Sequence, residues 1–253
     1  MTSMPAPTAA MLAIGDELLS GRTKDRNIGH LAEVFTVAGI DLKEVRIVGD
    51  EPTQIADTLN TLRRTYDFVV TSGGIGPTHD DITADAVGAA FALPVSEHPE
   101  ALRRLAENYA NRGLEFTEAR RRMARTPEGA SLVDNPVSVA PGFRVDNVFV
   151  LAGVPSVFQA MLDNVMKELP TGVPILSAAI HCPWPEGEIG GPLRDIQKQH
   201  PGVAIGSYPR SEDGRHFTEL VARSRDAGAL EAARAAIEDM VRRTGEDRAA
   251  RGA

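Results

Sequence analysis

A single cysteine, Cys182, stands in 253 residues, so no intrachain disulfide can staple this chain. The sequence is not that of a small secreted, disulfide-rich domain. Long apolar runs are also missing. The stretch Ala9 to Ile14 is too short to cross a bilayer, and the N-terminus lacks the charged start and apolar core of a signal peptide. Positive charge is in deficit: 27 Lys and Arg against 35 Asp and Glu leave a net charge of −8. Binding along a phosphate backbone draws on clustered Lys and Arg that release counterions, so nucleic acid is not an expected partner. No repeat is visible, and the only low-complexity block is the Ala/Pro-rich first ten residues. The expectation is a soluble, cytoplasmic protein with no membrane partner.

With 42% hydrophobic and 25% charged residues, the chain has enough apolar material to fold without staples. Four apolar, β-branched-rich runs each end in glycine or a small polar residue, and each is followed by a helical segment. They are Met11 to Ile14 before Gly15-Asp16-Glu17, Val45 to Val48 before Gly49-Asp50-Glu51, Phe68 to Thr71 before Ser72-Gly73-Gly74, and Val148 to Leu151 before Gly153-Val154-Pro155-Ser156. Ile28, Leu31 and Phe35, like Ile55, Leu59 and Leu62, recur at helical spacing between them. Strands joined by helices pair in parallel and are covered on both faces. In such open sheets ligands gather beyond the carboxyl ends of the strands, which is where all four loops fall.

After residue 170 the pattern changes to strand, helix, two strands and helix, the order of a small α+β sandwich. The expected division is residues 1–170 and 171–253. Residues 97–125 read as two further helices, and Arg120, Arg121, Arg122 and Arg125 give that segment a basic face. A solvated helix face is the plainer reading of it, a phosphate-binding lid the alternative.

The most informative segment is Ser72-Gly73-Gly74-Ile75-Gly76-Pro77-Thr78-His79-Asp80-Asp81, a glycine-rich turn between a buried strand and a helix. Glycines let backbone approach a ligand, and the free amides of such a turn favour an anion such as phosphate. Asp80, Asp81 and Asp85 stand where that phosphate would go, so a hard divalent cation between them is expected. Taken singly, Asp80 reads equally well as a helix cap and Asp81 as a charge favouring the helix dipole. Asp16, Glu17 and Asp50 at neighbouring strand ends shift the balance toward a shared site. Other motifs are absent. Five residues separate Gly15 from Gly21 and Arg22 replaces the lysine of a P-loop. There is no dinucleotide fingerprint, no zinc-ligand spacing and no serine-nucleophile elbow, and Gly187 to Gly190 reads as a plain turn.

Gly15-Asp16-Glu17-Leu18-Leu19-Ser20-Gly21, Asp25-x-Asn27, Gly49-Asp50-Glu51, Gly73 to Thr83, Ala140-Pro141-Gly142 and Gly153-Val154-Pro155-Ser156 resemble the molybdopterin-binding, MoaB/Mog-like domain of the CinA (competence/damage-inducible protein A) family. The glycine-rich wording is also similar to that domain of FAD synthases. The resemblance implies a three-layer α/β/α domain with a mostly parallel sheet, followed by a smaller α+β domain. It implies metal-dependent hydrolysis of nucleotide pyrophosphates such as ADP-ribose or FAD, with Mg²⁺, Mn²⁺ or Co²⁺, in a homo-oligomer.

By that resemblance Asp50 and Asp81 are the catalytic residues. Ser72, Gly73, Gly74, Gly76, Thr78, Pro141, Gly142, Gly153 and Ser156 hold substrate or phosphate, and Asp16, Asp80 and Asp81 hold metal. Arg120, Met123, Ser138, Val139 and Val157 stand where CinA proteins usually carry Asn, Gln, Gly, Thr and Glu. The family's C-terminal deamidase domain has no counterpart here, so deamidation is not expected. Two other functions stay open: a module that binds a pterin or nucleotide without turning it over, and a molybdopterin adenylyltransferase-like role in cofactor synthesis.

Overall fold

In the computed structural model of the chain, residues 5–251 are described; the first four residues of the Ala/Pro-rich start and the last two of the chain lie outside them. The chain divides into two compact units, Met1–Gly172 and Val173–Ala253.

The first unit runs β1 (Thr8–Ile14), α1 (Asp16–Leu19), α2 (Asn27–Ala38), β2 (Asp41–Val48), α3 (Pro52–Thr65), β3 (Phe68–Ser72) and α4 (Thr83–Phe91). It continues with β4 (Val95–Glu97), α5 (Pro99–Asn111), α6 (Glu118–Arg121), β5 (Arg125–Pro127), β6 (Ser131–Val133), β7 (Gly142–Val145), β8 (Val148–Leu151) and α7 (Pro155–Val165). Six strands form one sheet in the order β2-β1-β3-β8-β7-β6. The pairs β1–β2, β1–β3 and β3–β8 are parallel, whereas β7 pairs antiparallel with both β8 and β6. The carboxyl ends of β1, β2, β3 and β8 therefore share one edge, and the loops after them meet there.

Alternation along the strands builds two cores. Leu12, Ile14, Val69 and Val150 pack with Ile55, Leu59 and Leu62 of α3 and Val87 of α4. Met11, Val70, Phe149 and Leu151 pack on the other face with Leu31 and Phe35 of α2 and Phe158 and Leu162 of α7. Burying a side chain of this size contributes roughly 1.5–3 kcal/mol, and both faces are covered, which gives the three-layer arrangement. Helix ends are written locally. Gly39 closes α2 at φ 72, and the Glu51 carboxylate opens α3 by accepting from the Gln54 amide at 2.6 Å and the Thr53 amide at 3.2 Å. Those two amides hold the Glu51 carboxyl below the usual range.

Residues 97–125 depart from two full helices. Only α5 is long; α6 is one turn, followed by a short 3-10 turn at Arg122–Ala124. The α4 start differs too: its N-cap is Ile82, without a side-chain cap, so Asp80 is not the helix cap.

The second unit contains β9 (Leu176–Cys182), α8 (Glu186–Gln199), β10 (Ala204–Glu212), β11 (Arg215–Ser224) and α9 (Ala227–Arg251). Its antiparallel sheet has the order β10-β11-β9 and packs Ile180, Cys182 and Leu220 against Ile189 and Ile237 of the helices. Gly187 to Gly190, expected as a turn, lies inside α8. Beyond Met240 the last helix is held by Arg242 and Arg243 pairing with Asp239 and Glu246 one turn away, and by Arg248 lying over the Trp184 ring and pairing with Glu188. Among the described residues no helix is long and apolar enough to cross a membrane.

Candidate functional site

The loops after β1, β2, β3 and β8 enclose a cleft of about 570 Å³, joined by residues of the 135–140 loop and Met123. Its shape depends on glycines that no other residue could replace in place. Gly73 has φ +108, and a Cβ there would stand 2.2 Å from the Ile14 carbonyl oxygen. Gly74 has φ +68, and its Cβ would stand 2.1 Å from the Thr83 hydroxyl. Thr83 closes the turn by donating its hydroxyl to the Gly73 carbonyl at 3.0 Å and its amide to the Gly74 carbonyl at 3.0 Å. Among the described residues no group accepts from the N–H groups of Gly74, Ile75 and Gly76, which line the cleft. Unmatched amides of this kind are ready for an anion.

Beneath the turn lies Asn27 of the Asp25-x-Asn27 motif. Asn27, 3% exposed, donates from Nδ2 to the Ser72 hydroxyl at 2.7 Å and to the Gly153 carbonyl at 2.8 Å. One side chain thus ties the β3 and β8 loops together at the floor of the site. Because a carbonyl only accepts, Gly153 settles which way the Asn27 amide points.

Four carboxylates line the cleft: Glu17, Asp50, Asp80 and Asp81. Asp81 is drawn back onto its own turn, where Oδ2 accepts from the Thr78 amide at 2.7 Å and the Thr78 hydroxyl at 2.5 Å. Asp50 Oδ2 accepts the Asp16 amide at 2.9 Å, while Asp16 Oδ1 takes the Asp50 amide at 3.3 Å. That reciprocal clasp fixes the β1 and β2 loops. Asn135 frames the facing loop by accepting from the Val137 and Ser138 amides at 3.0 and 3.1 Å and donating to the Ala140 carbonyl at 2.8 Å.

The structure brings Asp50, Gly73, Gly74, Gly76, Asp80, Asp81 and Gly153 into the cleft wall. Several other expected residues are elsewhere. Asp16 does not line the cleft, because its carboxylate is seated on the Gly49–Asp50 turn. Ser72 is buried against Asn27, and Thr78 spends its hydroxyl on Asp81. Gly142 opens β7 in the core, where a Cβ would meet the Val150 carbonyl at 2.4 Å, so it is a packing glycine. Pro141 lines a small cavity behind the turn, and Ser156 lies in the first turn of α7 outside the lining. Asp85 is held by Arg125 at 2.6 and 2.9 Å and does not line the cleft.

Glu17, by contrast, is part of the lining, and its carboxylate folds back over Gly15, where a Cβ would stand 2.4 Å from it. The Gly-x-Glu spacing carried that signal. Met123, Ser138 and Val157, three of the positions that depart from the CinA pattern, also line the cleft.

Comparison with known proteins agrees with this architecture. Residues 10–171 match the family described as "Probable molybdopterin binding domain", and residues 174–247 match the middle domain of FAD synthase. A protein of Aeropyrum pernix is 34% identical over 239 residues, covering 90% of this chain and 89% of its own. A Caenorhabditis briggsae protein named "Probable FAD synthase" is 30% identical in an alignment that covers 92% of this chain and 49% of that protein, so the chain spans about half its length. The crystal structure of the protein CinA, of unknown function, from Thermoplasma acidophilum aligns with a TM-score of 0.60 and 30% identity. That alignment covers 64% of this chain and 98% of that one. The β2-β1-β3-β8 sheet with its glycine-rich edge, and the smaller antiparallel domain after it, thus belong to a CinA-like member of the molybdopterin-binding-domain family.

Proposed function

We propose that this protein is a metal-dependent nucleotide pyrophosphatase acting on ADP-ribose or FAD-like diphosphates. The observation that carries this reading is the charge pattern of the cleft. Glu17, Asp50, Asp80 and Asp81 line it, and among the described residues no Lys, Arg or His does. A diphosphate entering that cleft is repelled unless a divalent cation comes with it.

The donors suit such a cation, being hard oxygens throughout, as Mg²⁺ or Mn²⁺ prefers. Among the described residues no group of three or more His, Cys, Asp or Glu could hold a metal unaided. Mg²⁺ commonly takes one or two carboxylates and completes its shell with substrate phosphate oxygens, a division that fits Asp50 on one loop and Asp80 and Asp81 on another. Asp16, committed to its clasp with Asp50, is not assigned to the metal. When bound, the cation neutralises the diphosphate and lowers the pKa of an attacking water. The chain's own contribution is orientation: the free amides of Gly74, Ile75 and Gly76 hold phosphate oxygens, and Asn27 keeps the two flanking loops at fixed spacing. Hydrolysis then breaks one bridging P–O bond. Water's hydroxyl goes to one phosphorus and its proton to the leaving phosphate, giving two monophosphates.

The test is release of nucleoside monophosphate from FAD, ADP-ribose and NAD, with Mg²⁺, Mn²⁺ or Co²⁺ and with chelator, for wild type and Asp81→Asn. Metal-dependent release that falls about a hundredfold or more in a folded variant supports the reading. Activity retained by Asp81→Asn removes that residue from the mechanism. A second reading, a module that binds a pterin or nucleotide without turnover, is favoured by the placement of Met123, Ser138 and Val157 in the lining. Thermal stabilisation by ligand without any product would establish it.

A further inference from the structure

The four arginines between residues 120 and 125 meet different fates. Arg121 pairs with Glu97 at 2.6 and 3.0 Å, and Arg125 pairs with Asp85. Arg120 lies 4.4 Å from the Tyr109 ring centre and donates to the Glu115 carbonyl. Arg122 is the exception. Its Nη2 donates at 3.2 Å to the backbone carbonyl of Asp81, and its Nε is buried without a partner.

The space around that guanidinium is a cavity of about 10 Å³ lined by Gly74, Gly76, Asp81, Arg122 and Pro141. Gly74, Gly76 and Asp81 also line the open cleft. Arg122 therefore touches the glycine-rich loop from behind, while the front of the same loop faces the open cleft. The bonds from Thr78 to Asp81 lie within the loop and do not tie it to the rest of the fold. Thr83 anchors one end of it, and the contact to the Asp81 carbonyl anchors the other region to the segment after α6.

We propose that Arg122 is a positioning residue, fixing the Asp81 turn from behind through its backbone carbonyl and placing a positive charge in back of the Gly74–Gly76 amides. A hydrogen bond from a charged donor is stronger than a neutral one, and a charge in a confined, poorly solvated space acts over a longer range than one at the surface. The inference rests on the reading of Asp81 as the carboxylate that serves the reaction.

The experiment pairs amide hydrogen exchange over residues 74–83 with steady-state kinetics on FAD and ADP-ribose, for Arg122→Met, Arg122→Lys and Arg121→Met. Arg122→Met is expected to speed exchange in that loop about tenfold and to lower kcat/KM about ten- to a hundredfold, mostly in kcat. Arg122→Lys keeps the charge and one donor and recovers part of both. Arg121→Met breaks the Glu97 pair in the same segment and leaves both within about twofold of wild type. Unchanged exchange over 74–83 in Arg122→Met overturns the positioning role whatever the protein hydrolyses. So does an equal effect from Arg121→Met. Faster loop exchange in a protein whose wild type releases no monophosphate sinks the pyrophosphatase reading and leaves the anchor standing.

Discussion

Replacing Asn27 separates what the site needs from what the core needs. Asn27→Ala removes two hydrogen bonds, to the Ser72 hydroxyl and the Gly153 carbonyl. Together these contribute about 2 kcal/mol. Some of that returns, because Asn27 Oδ1 is buried without a partner and its deletion relieves about 1 kcal/mol. The net expectation is a loss of about 1–2 kcal/mol. Asn27→Asp keeps the size but turns a donor into a charged acceptor facing the Gly153 carbonyl. Leaving an uncompensated charge at a 3% exposed position costs about 3–5 kcal/mol at pH 7.

The pH dependence has a definite sign. Burial and the facing carbonyl raise the carboxyl's folded pKa above its unfolded value, so the protonated form, which can donate to Gly153, is favoured in the fold. The ionisation part of the Asn27→Asp deficit is therefore absent below the unfolded value, about 4, and grows as pH rises through the folded one. Urea unfolding of wild type and both variants at pH 5 and 7, compared through midpoints at equal m, reads these differences. Wild-type-like stability of Asn27→Asp at pH 7, or a deficit that shrinks as pH rises, would refute the assignment of Asn27 as the double donor.

Three further outcomes follow from the same geometry. Gly74→Ala forces a left-handed L-residue whose Cβ meets Thr83, so stability falls by about 2–3 kcal/mol in thermal or urea unfolding and ligand-induced stabilisation is lost. Thr71, fully buried with an unpaired hydroxyl, is stabilised by about 1 kcal/mol on replacement with Val, measured by the urea midpoint. Cys182 is fully buried and burial raises its thiol pKa, so it resists a thiol reagent at pH 8 in the folded protein and reacts once urea unfolds it.

Local patterns in the sequence specify the architecture and the sheet edge at which the candidate cleft opens. Apolar runs such as Phe68 to Thr71, followed by Gly73 and Gly74, state a parallel strand and its tight exit in local terms, and the α+β order after residue 170 is equally local. Periodicity and turn chemistry act over a few residues, so a reader of the chain can see them. Which side chains face the cleft was decided only by tertiary contacts. Asp16 and Glu17 are neighbours, yet Asp16 is claimed by the Asp50 amide 34 residues away while Glu17 is left to the cleft. Asp85 looked like part of the acidic loop until Arg125, 40 residues on, paired with it. The arginine run read as one solvated face, but Glu97, Asp85 and the Asp81 carbonyl divided its members among separate tasks. Spacing along a chain shows which groups share a strand or helix face; a hydrogen bond between distant segments exists only once the fold has set their distance, and that distance sorts anchors from site residues.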